Sequence, residues 1–330
     1  MIAKLDTLEN IQVLKDPCVS VIIVSWNTRE YLLSCLKSIF EEREAKSWKV
    51  IVVDNGSKDG SGIEVKKTFP YVHLIENEEN LGFAKATNQG LKKAAGKYVL
   101  LLNPDTRVKS EAIERLILFM NASPKVGIAG VQLLNSDGSK QNSIANFPSL
   151  ATELLNKSLL RWLFPKAFPG KERDWPEPIE VDSVIGACMM VRRKAIEQVG
   201  LLDEDYFLFL EETDWCYRMK QAGWKVVHVP EVRIDHFQGK SAGSEKKRAR
   251  IEYFRSRYHF FKKHKGTQQW LILYAGLVVR LLIESILLTV ACVFTLGMMR
   301  KWRKKLSLYT YLLWWHVRFC PEEVGLRDRS

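Results

Sequence analysis

Short apolar segments that alternate with helix-forming segments are the feature of this sequence that most limits its fold. The run Val19–Val24 is continuously apolar and β-branched, which is typical of a strand buried on both faces. Three further segments predicted to be strands are Lys49–Val53, Tyr71–Ile75 and Tyr98–Leu102. Between them, Arg29–Glu42 and Phe83–Ala95 have the spacing of amphipathic helices. This alternation predicts an α/β fold with a mostly parallel sheet, flanked by helices, that binds its ligand at the carboxyl ends of the strands.

Beyond Gly130 the alternation is looser. Leu150–Glu180 contains several prolines and aromatic residues and predicts an irregular insertion. The remaining predicted elements are an interrupted strand, a helix and a final strand, at Val181–Val191, Phe209–Ala222 and Lys225–Val229.

Charge divides the chain into two predicted parts. The net charge of the 330 residues is +12, and from Lys240 onward there are 19 Lys and Arg against 6 Asp and Glu. The preceding part is nearly neutral. We therefore expect one domain over residues 1–240 and a basic, helical region over residues 241–330 that meets an anionic partner. The six cysteines form no Cys-x-x-Cys pair, which favours reduced thiols in the cytoplasm.

Two carboxylates follow predicted strands of the same sheet. Asp54 ends the second strand, where it would read a pyrimidine ring N–H or, alternatively, cap its own turn. Asp105 ends the fourth strand, where it would hold Mg²⁺ or Mn²⁺ on a substrate phosphate or, alternatively, cap the following helix. The metal interpretation suits Asp105 better, because its spacing from the helix that begins near Lys109 is poor for a cap.

A second acidic cluster lies at the start of the helix Phe209–Ala222. Glu212 is preceded by Glu211 and followed by Asp214, with apolar neighbours on both sides. A solvated helix start would explain the acids through the helix dipole. The apolar neighbours instead favour a raised pKa, which suits a general base.

Two features after the last predicted strand have ordinary explanations as well as functional ones. His236 is a lone histidine, and such residues are more often structural than ligands. Gly239–Arg250 is rich in Gly, Ser and Lys, which is typical of a linker or of a mobile lid over phosphates. The linker is the simpler interpretation.

Six motifs occur in an order that resembles the family 2 inverting glycosyltransferases of the GT-A fold, and in particular their rhamnosyltransferase and galactofuranosyltransferase branch. The motifs are Val21–Asn27, Val53–Ser57, Glu79–Ala84 with Asn88–Gly90, Leu102–Asp105, Gly186–Ala187 and Glu211–Asp214. The resemblance extends from about Val19 to Ser241.

The resemblance implies roles for individual residues. Glu212 would be the catalytic base, and Asp105 with His236 would bind the metal. A nucleotide site would include Ser25, Asn27, Asp54, Asn80, Gly82 and Asn103. The acceptor side would include Gly186, Ala187, Glu211 and Asp214.

The chain departs from the family pattern at two positions. Asn103 replaces the first aspartate of the Asp-x-Asp signature, which supplies a weaker, neutral ligand. Glu212 replaces the usual aspartate and is one methylene longer, so the base would lie slightly further back.

The apolar stretch Trp270–Met299 lies outside these motifs. It is long enough to cross a bilayer, but lysines and arginines flank it on both sides. An interfacial helix or a re-entrant helical pair on the cytoplasmic leaflet fits this pattern better, and Arg280 and Glu284 would mark a polar face. A buried dimerisation helix is the alternative.

We expect an inverting, metal-dependent hexosyltransferase of bacterial cell-surface polysaccharide synthesis. It would move a rhamnose-like sugar from a dTDP- or UDP-sugar to a lipid-linked or glycan acceptor at the cytoplasmic face of the membrane, as a peripheral or monotopic protein. No nucleic-acid partner is expected, and a homo-oligomer is compatible with the sequence. Two alternatives are a nucleotidyltransferase, for which the first loop lacks glycine, and a non-catalytic basic membrane adaptor.

Overall fold

A computed structural model describes residues 19–40, 48–165, 175–237 and 246–327. Cys18 and the 239–245 part of the predicted linker lie outside the described residues. The remaining residues of that segment, 246–250, are helical, so the linker interpretation is wrong for them.

Strands β1 to β11 are Val19–Ser25, Lys49–Asp54, His73–Glu76, Tyr98–Leu102, Thr106–Arg107, Val126–Leu134, Ile144–Ala145, Ile179–Glu180, Ser183–Val184, Cys188–Arg192 and Lys225–His236. Within the described residues, nine of them form one sheet in the order β3-β2-β1-β4-β10-β6-β11-β5, and β8 also pairs with β11. Strands β7 and β9 pair separately.

The first four strands in the sequence are parallel, as predicted. The sheet as a whole is mixed, because β10 runs antiparallel between β4 and β6, and β5 and β8 pair antiparallel with β11. The continuous apolar runs could not reveal strand direction, since a strand buried on both faces has the same pattern either way.

Helices α1 to α11 are Arg29–Phe40, Ser61–Thr68, Phe83–Lys93, Ser110–Ala122, Leu150–Leu154, Lys157–Leu163, Arg193–Val199, Glu211–Gln221, Lys246–His264, Gly266–Phe294 and Arg300–Val317. The segment Leu150–Glu180 is therefore not irregular throughout, because it contains α5 and α6. Ser149 and Asn156 accept hydrogen bonds from the first turns of these helices and define where each begins.

Contacts between Cα atoms divide the described chain into two units. The sheet unit comprises the described residues of 19–147, 165–206 and 211–237, and the helical unit comprises 148–164, 207–210 and 246–327. In the sheet unit, alternate residues of β1 face opposite layers. Val21 and Ile23 pack in the layer of α1 and α4, whereas Ile22 and Val24 pack in the layer of α3 and α8. Both faces of the sheet are thus covered.

The helical unit is built around α10, which contacts α5, α9 and α11. Only five residues, 295–299, connect α10 to α11, so the two helices form a hairpin. Its inner side buries Leu273, Leu277 and Leu281 of α10 and Leu312 and Trp315 of α11. The predicted helical C-terminal region therefore includes a pair of adjacent helices.

Candidate active site

A short antiparallel pairing brings Asp105 and His236 together at the end of the sheet. Asp105 lies between β4 and β5, and His236 ends β11 opposite Thr106. The backbone N–H of Phe237 donates to the carbonyl of Asp105 at 2.8 Å. The Asp105 Oδ1 and His236 Nε2 atoms are 3.4 Å apart, and both side chains are less than 10% exposed.

Gln141 determines which nitrogen of His236 carries a proton. His236 Nδ1 lies 2.9 Å from Gln141 Oε1. The Gln141 amide nitrogen donates to Asn135 Oδ1 at 2.8 Å and to the His236 carbonyl at 2.5 Å, so its oxygen must face the ring. His236 therefore donates through Nδ1–H, and its Nε2 is left to face Asp105.

The pair formed by Asp105 and His236 has the chemistry of a cation site. In a neutral imidazole protonated on Nδ1, the Nε2 lone pair would repel the Asp105 carboxylate at 3.4 Å. A proton or a divalent cation between the two atoms removes that repulsion. One carboxylate oxygen and one imidazole nitrogen, the latter oriented by an outer amide, suit a metal such as Mn²⁺, which accepts both ligand types.

One loop links this pair to the second acidic cluster. The loop at 185–187 joins β9 to β10, and the carbonyl of Ala187 accepts from the Asn103 N–H at 2.9 Å. Gly186 in the same loop packs against Glu212, since a Cβ on Gly186 would lie 3.5 Å from Glu212 Cβ and Cγ. Two neighbouring residues thus contact the end of β4 and the start of α8, so the structure brings the two predicted acidic clusters to the same edge of the sheet.

Burial raises the pKa of Glu212, and hydrogen bonds from the backbone N–H groups of Glu212, Thr213 and Gly186 only partly oppose this. Burial, and after it the charge of Glu212, raises the pKa of Glu211 well above its ordinary value. The Oε2 atom of each glutamate is buried and has no hydrogen-bond partner among the described residues. Glu212 is half-buried and Glu211 is 6% exposed, so Glu212 is the more accessible proton acceptor.

The residues before α8 have an unusual backbone. Phe209 and Leu210 have φ angles of 72° and 66°, in the left-handed region that bulky residues rarely adopt. Such strain is concentrated at functional sites in folded proteins. Here it precedes the two glutamates directly.

The predicted nucleotide residues lie at the ends of β1 and β2, where two loops are joined. Asn27 has φ of 52°, donates its N–H to Ser57 Oγ at 2.9 Å and accepts from the Lys58 N–H at 2.8 Å. Asp54 Oδ1 accepts from the Ser57 N–H at 3.0 Å, which is the turn contact that was the alternative to base recognition. Ser25 is fully buried and hydrogen-bonds Thr28.

An amide network that the sequence did not predict supports the same edge. Asn55 donates to Asn80 Oδ1 at 2.8 Å and to the Gly82 carbonyl at 3.2 Å, and accepts from Asn77. Gly56 makes this approach possible, since a Cβ there would lie 2.5 Å from the Glu79 backbone. Asn80 and Gly82 are thus held in a rigid turn. Their nucleotide role stays a prediction.

Two predicted acceptor-side residues have structural contacts. Asp214 is fully buried and accepts from Arg218 Nε at 2.7 Å. Arg218 in turn donates to the carbonyls of Val199 and Leu201. Ala187 is 1% exposed. These contacts do not support direct acceptor binding by either side chain, whereas Gly186 and Glu211 adjoin Glu212.

Comparison with known proteins decides the family. The family described as Glycosyl transferase family 2 matches residues 20–200, which is more than half of the chain. The chain belongs to glycosyl transferase family 2. The glycosyltransferase interpretation is therefore confirmed over the nucleotidyltransferase and adaptor alternatives.

Two curated relatives place this glycosyltransferase in the rhamnosyltransferase branch. The N-acetylglucosaminyl-diphospho-decaprenol L-rhamnosyltransferase of Mycobacterium tuberculosis is 29% identical over 262 residues, which cover 74% of this chain and 85% of the relative. The dTDP-rhamnosyl transferase RfbF of Shigella flexneri is 28% identical over 226 residues, which cover 66% of this chain and 68% of the relative.

A solved structure supports the fold. The mannosyltransferase PcManGT from Pyrobaculum calidifontis, in complex with GDP-Man and Mn²⁺, matches with a TM-score of 0.54 at 17% identity. The match covers 92% of this glycosyltransferase and 86% of that chain. Together with the family match, it confirms the predicted GT-A fold.

Proposed function

We propose that this glycosyltransferase transfers a rhamnose-like hexosyl group from a dTDP- or UDP-sugar to a lipid-linked or glycan acceptor, with inversion at the anomeric carbon, in cell-surface glycan synthesis. The observation that carries the proposal is the loop at 185–187. It joins a carboxylate–imidazole corner suited to a cation with a buried glutamate suited to a proton.

Glu212 and the Asp105–His236 pair have separate parts in the proposed reaction. Glu212 accepts the proton of the acceptor hydroxyl. The acceptor oxygen then forms a bond to the anomeric carbon, while the bond from that carbon to the diphosphate oxygen breaks and its electron pair leaves with the nucleoside diphosphate. Asp105 and His236 would hold Mg²⁺ or Mn²⁺, which would stabilise the negative charge of that leaving group.

The state of the two glutamates supports inversion. A retaining reaction by double displacement needs an ionised nucleophile beside the sugar. Glu211 has a pKa well above its ordinary value, which favours its protonated form and disfavours it as a nucleophile. This favours a single direct displacement with Glu212 as the base. Nuclear magnetic resonance of the product should show the opposite anomeric configuration to the donor, and retention would contradict the mechanism.

Donor recognition is the most direct test. One relative is named a dTDP-rhamnosyl transferase, which supports a thymine or uracil nucleotide read by Asp54. The full chain, warmed with a panel of nucleotide-sugars, should gain the most thermal stability from dTDP- or UDP-sugars in the presence of Mn²⁺. Equal stabilisation by GDP-sugars would contradict the proposed base recognition. An effect of Mn²⁺ that survives in Asp105→Asn would contradict the metal site.

The acceptor class is supported by a second relative and by α10. The Mycobacterium relative is named for a diphospho-decaprenol substrate, which is a lipid. Among the described residues, α10 is long enough to cross a membrane, with a mean hydropathy of 2.4 and 17% of its most apolar window buried. Residues of the turn that follows it are strongly exposed, including Leu296 at 87% and Met298 at 77%. A basic segment begins immediately afterwards at Arg300.

We propose that the α10–α11 hairpin lies in the cytoplasmic membrane interface. Its apolar side would enter the acyl chains, and its lysines and arginines would contact anionic head groups at about 1 kcal/mol each. The full chain should float with anionic liposomes at low salt. A chain that ends at Gly266 should remain in solution, still bind nucleotide-sugar, and transfer poorly to a membrane-borne lipid. A full-length chain that stays unbound would instead favour a buried oligomer contact.

A further inference from the structure

A cavity of about 770 Å³ lies within the helical unit and has no part in the chemistry described above. It is lined by residues 152–156 and 158, at the end of α5 and the start of α6, by one face of α9 and by one face of α10. The lining residues on α10 are Gly276, Val279, Arg280, Ile283 and Glu284, whose spacing places them along a single helix face.

The α9 wall carries two guanidinium groups over the same pair of aromatic rings. The Arg257 guanidinium carbon lies 4.3 Å from the centre of the Phe254 ring and 4.8 Å from that of Tyr253. For Arg250 the corresponding distances are 5.9 Å and 5.2 Å. The spacing of seven residues puts both arginines on the cavity side of α9.

The two arginines differ in their partners. Arg257 is 5% exposed and forms a buried ion pair with Glu153, with Nη1 and Oε2 2.7 Å apart. Its Nε is buried without a hydrogen-bond partner among the described residues. Arg250, in contrast, makes no ion pair or hydrogen bond with any described residue. The third arginine, Arg280, pairs with Glu284 at 2.9 Å.

The cavity is therefore positively charged. Arg250, Arg257 and Arg280 face Glu153 and Glu284, which leaves one unbalanced positive charge, and Lys305 also lies 3.4 Å from Glu284. Arginine binds phosphate through two parallel N–H donors, and Arg250 on the cavity wall makes no hydrogen bond to other described residues.

The cavity opens towards an apolar surface. Val279 and Ile283 line it and are both 53% exposed. Further along α10, Ile286, Leu287 and Val290 are 62%, 62% and 47% exposed. A phosphate in the cavity that carried a hydrocarbon chain could place that chain along α10, whereas inorganic phosphate would leave this surface uncovered.

We propose that this cavity binds the phosphate group of a prenyl-diphosphate lipid through Arg250 and Arg257, with the isoprenoid chain along the exposed apolar face of α10. The site would hold the lipid-linked acceptor, and the inference thus rests on the proposed function. Glu153 fixes Arg257 in place, and Arg250 supplies the charge that the bound phosphate neutralises.

Calorimetry with farnesyl diphosphate tests this site. The full chain is studied in detergent with a chelator present, so that no metal in the sheet unit binds the diphosphate. Arg250→Gln should weaken binding about tenfold. Lys125→Gln removes one positive charge from an exposed position of the sheet unit, before β6 and outside the cavity, and should bind within twofold of the wild type. Sodium pyrophosphate should bind at least tenfold more weakly than farnesyl diphosphate.

A second variant tests the site independently, in case Arg250→Gln misfolds. Ser158 is exposed and lines the cavity, so Ser158→Glu adds a negative charge there and should also weaken binding without removing any packing. Unchanged binding in both cavity variants would overturn the site, and equal affinity for pyrophosphate would overturn the lipid as its source. Lipid binding that depends on Arg250 in a chain that binds no nucleotide-sugar would contradict the proposed function alone. Normal transfer to a lipid acceptor by Arg250→Gln would contradict this inference alone.

Discussion

Asp105 and Glu212 are carboxylates at the same edge of one sheet, yet their surroundings are opposite. Asp105 faces His236 Nε2 at 3.4 Å, and that ring is held by Gln141. Glu212 has another glutamate beside it, and one of its oxygens is buried without a partner among the described residues. The first environment attracts a positive charge, whereas the second favours the uptake of a proton.

The role of each carboxylate therefore depends on the groups that face it. Two carboxylates in different environments can divide the work of one reaction between them. A lone glutamate at a helix N-terminus would normally be stabilised as an anion by the helix dipole. At Glu212 burial outweighs that effect, since the net result is a raised pKa.

The largest effect is expected from Glu212→Gln, which removes the proton acceptor and keeps the side-chain shape. Transfer should fall by roughly 10²- to 10⁴-fold, the range typical of general base catalysis. Donor affinity in the presence of Mn²⁺ should remain within about twofold of the wild type, because the diphosphate of the donor would bind near Asp105 and His236. Steady-state kinetics and calorimetry measure the two quantities. A variant that transfers at near wild-type rate would remove Glu212 from the mechanism.

Asp105→Asn should affect binding where Glu212→Gln does not. The substitution replaces the anionic ligand by a neutral amide, so we expect Mn²⁺-dependent nucleotide affinity to fall roughly a hundredfold. This loss lies at the upper end of the 10- to 100-fold effect of losing an outer-shell partner, because Asp105 would contact the metal itself. Calorimetry with nucleoside diphosphate, with and without Mn²⁺, isolates the metal-dependent part. Wild-type activity that survives chelation would show that Asp105 does not act by binding a metal.

Gln141→Leu should weaken metal binding by roughly 10- to 100-fold without touching the ligands themselves. Leucine cannot accept the Nδ1–H of His236, so the ring would lose its fixed tautomer. Gln141→Glu keeps an oxygen at the same position and should retain more affinity than the leucine variant. Equal losses in both variants would indicate that Gln141 acts through packing alone.

Much of the fold was predictable because burial leaves a regular pattern. The strand Tyr98–Leu102 was predicted with its observed bounds, and the starts of β1, β2, α1 and α3 were predicted correctly. The helix α2 was missed, since it has eight residues and no side-chain cap at Gly60. The nine-residue strand β6 was also missed, because its apolar run continues past Gly130, where the alternation was taken to end.

The candidate site was predictable only in part. Its acids end recognisable strands or begin a helix, so residue patterns could mark them. The pairing of His236 with Asp105 depends on β5, which has two residues and leaves no periodic signal. Gln141 lies 95 residues before His236 in the sequence, and no local pattern connects the two. Contacts of this kind follow from the register of the sheet.

The pH dependence of catalysis should reflect the ionisation of Glu212. Glu212 is active as a base only when ionised, and burial raises its pKa. The pKa of an ordinary glutamate is about 4.3. The acid limb of kcat/KM should therefore lie at a higher pH than this value. Activity falls as the pH drops through the raised value, because the base becomes protonated. A limb at the ordinary position would indicate a solvated Glu212.

The smallest expected effect is on stability, and it differs between Glu212 and Asp105. Because the folded-state pKa of Glu212 is raised, the native protein retains a proton that the unfolded chain loses as the pH rises above about 4.3. Above the raised pKa both states are ionised, and the buried charge destabilises the native state fully. Glu212→Gln removes this charge, so its melting temperature at pH 8 should exceed that of the wild type. At pH 4 the difference should vanish.

Asp105→Asn should give no such gain, because it removes the anionic partner of His236 instead of an uncompensated charge. Calorimetric scans of both variants at the two pH values measure the contrast, and a melting temperature for Glu212→Gln at or below that of the wild type at pH 8 would show that the Glu212 carboxylate is not strained in the native state.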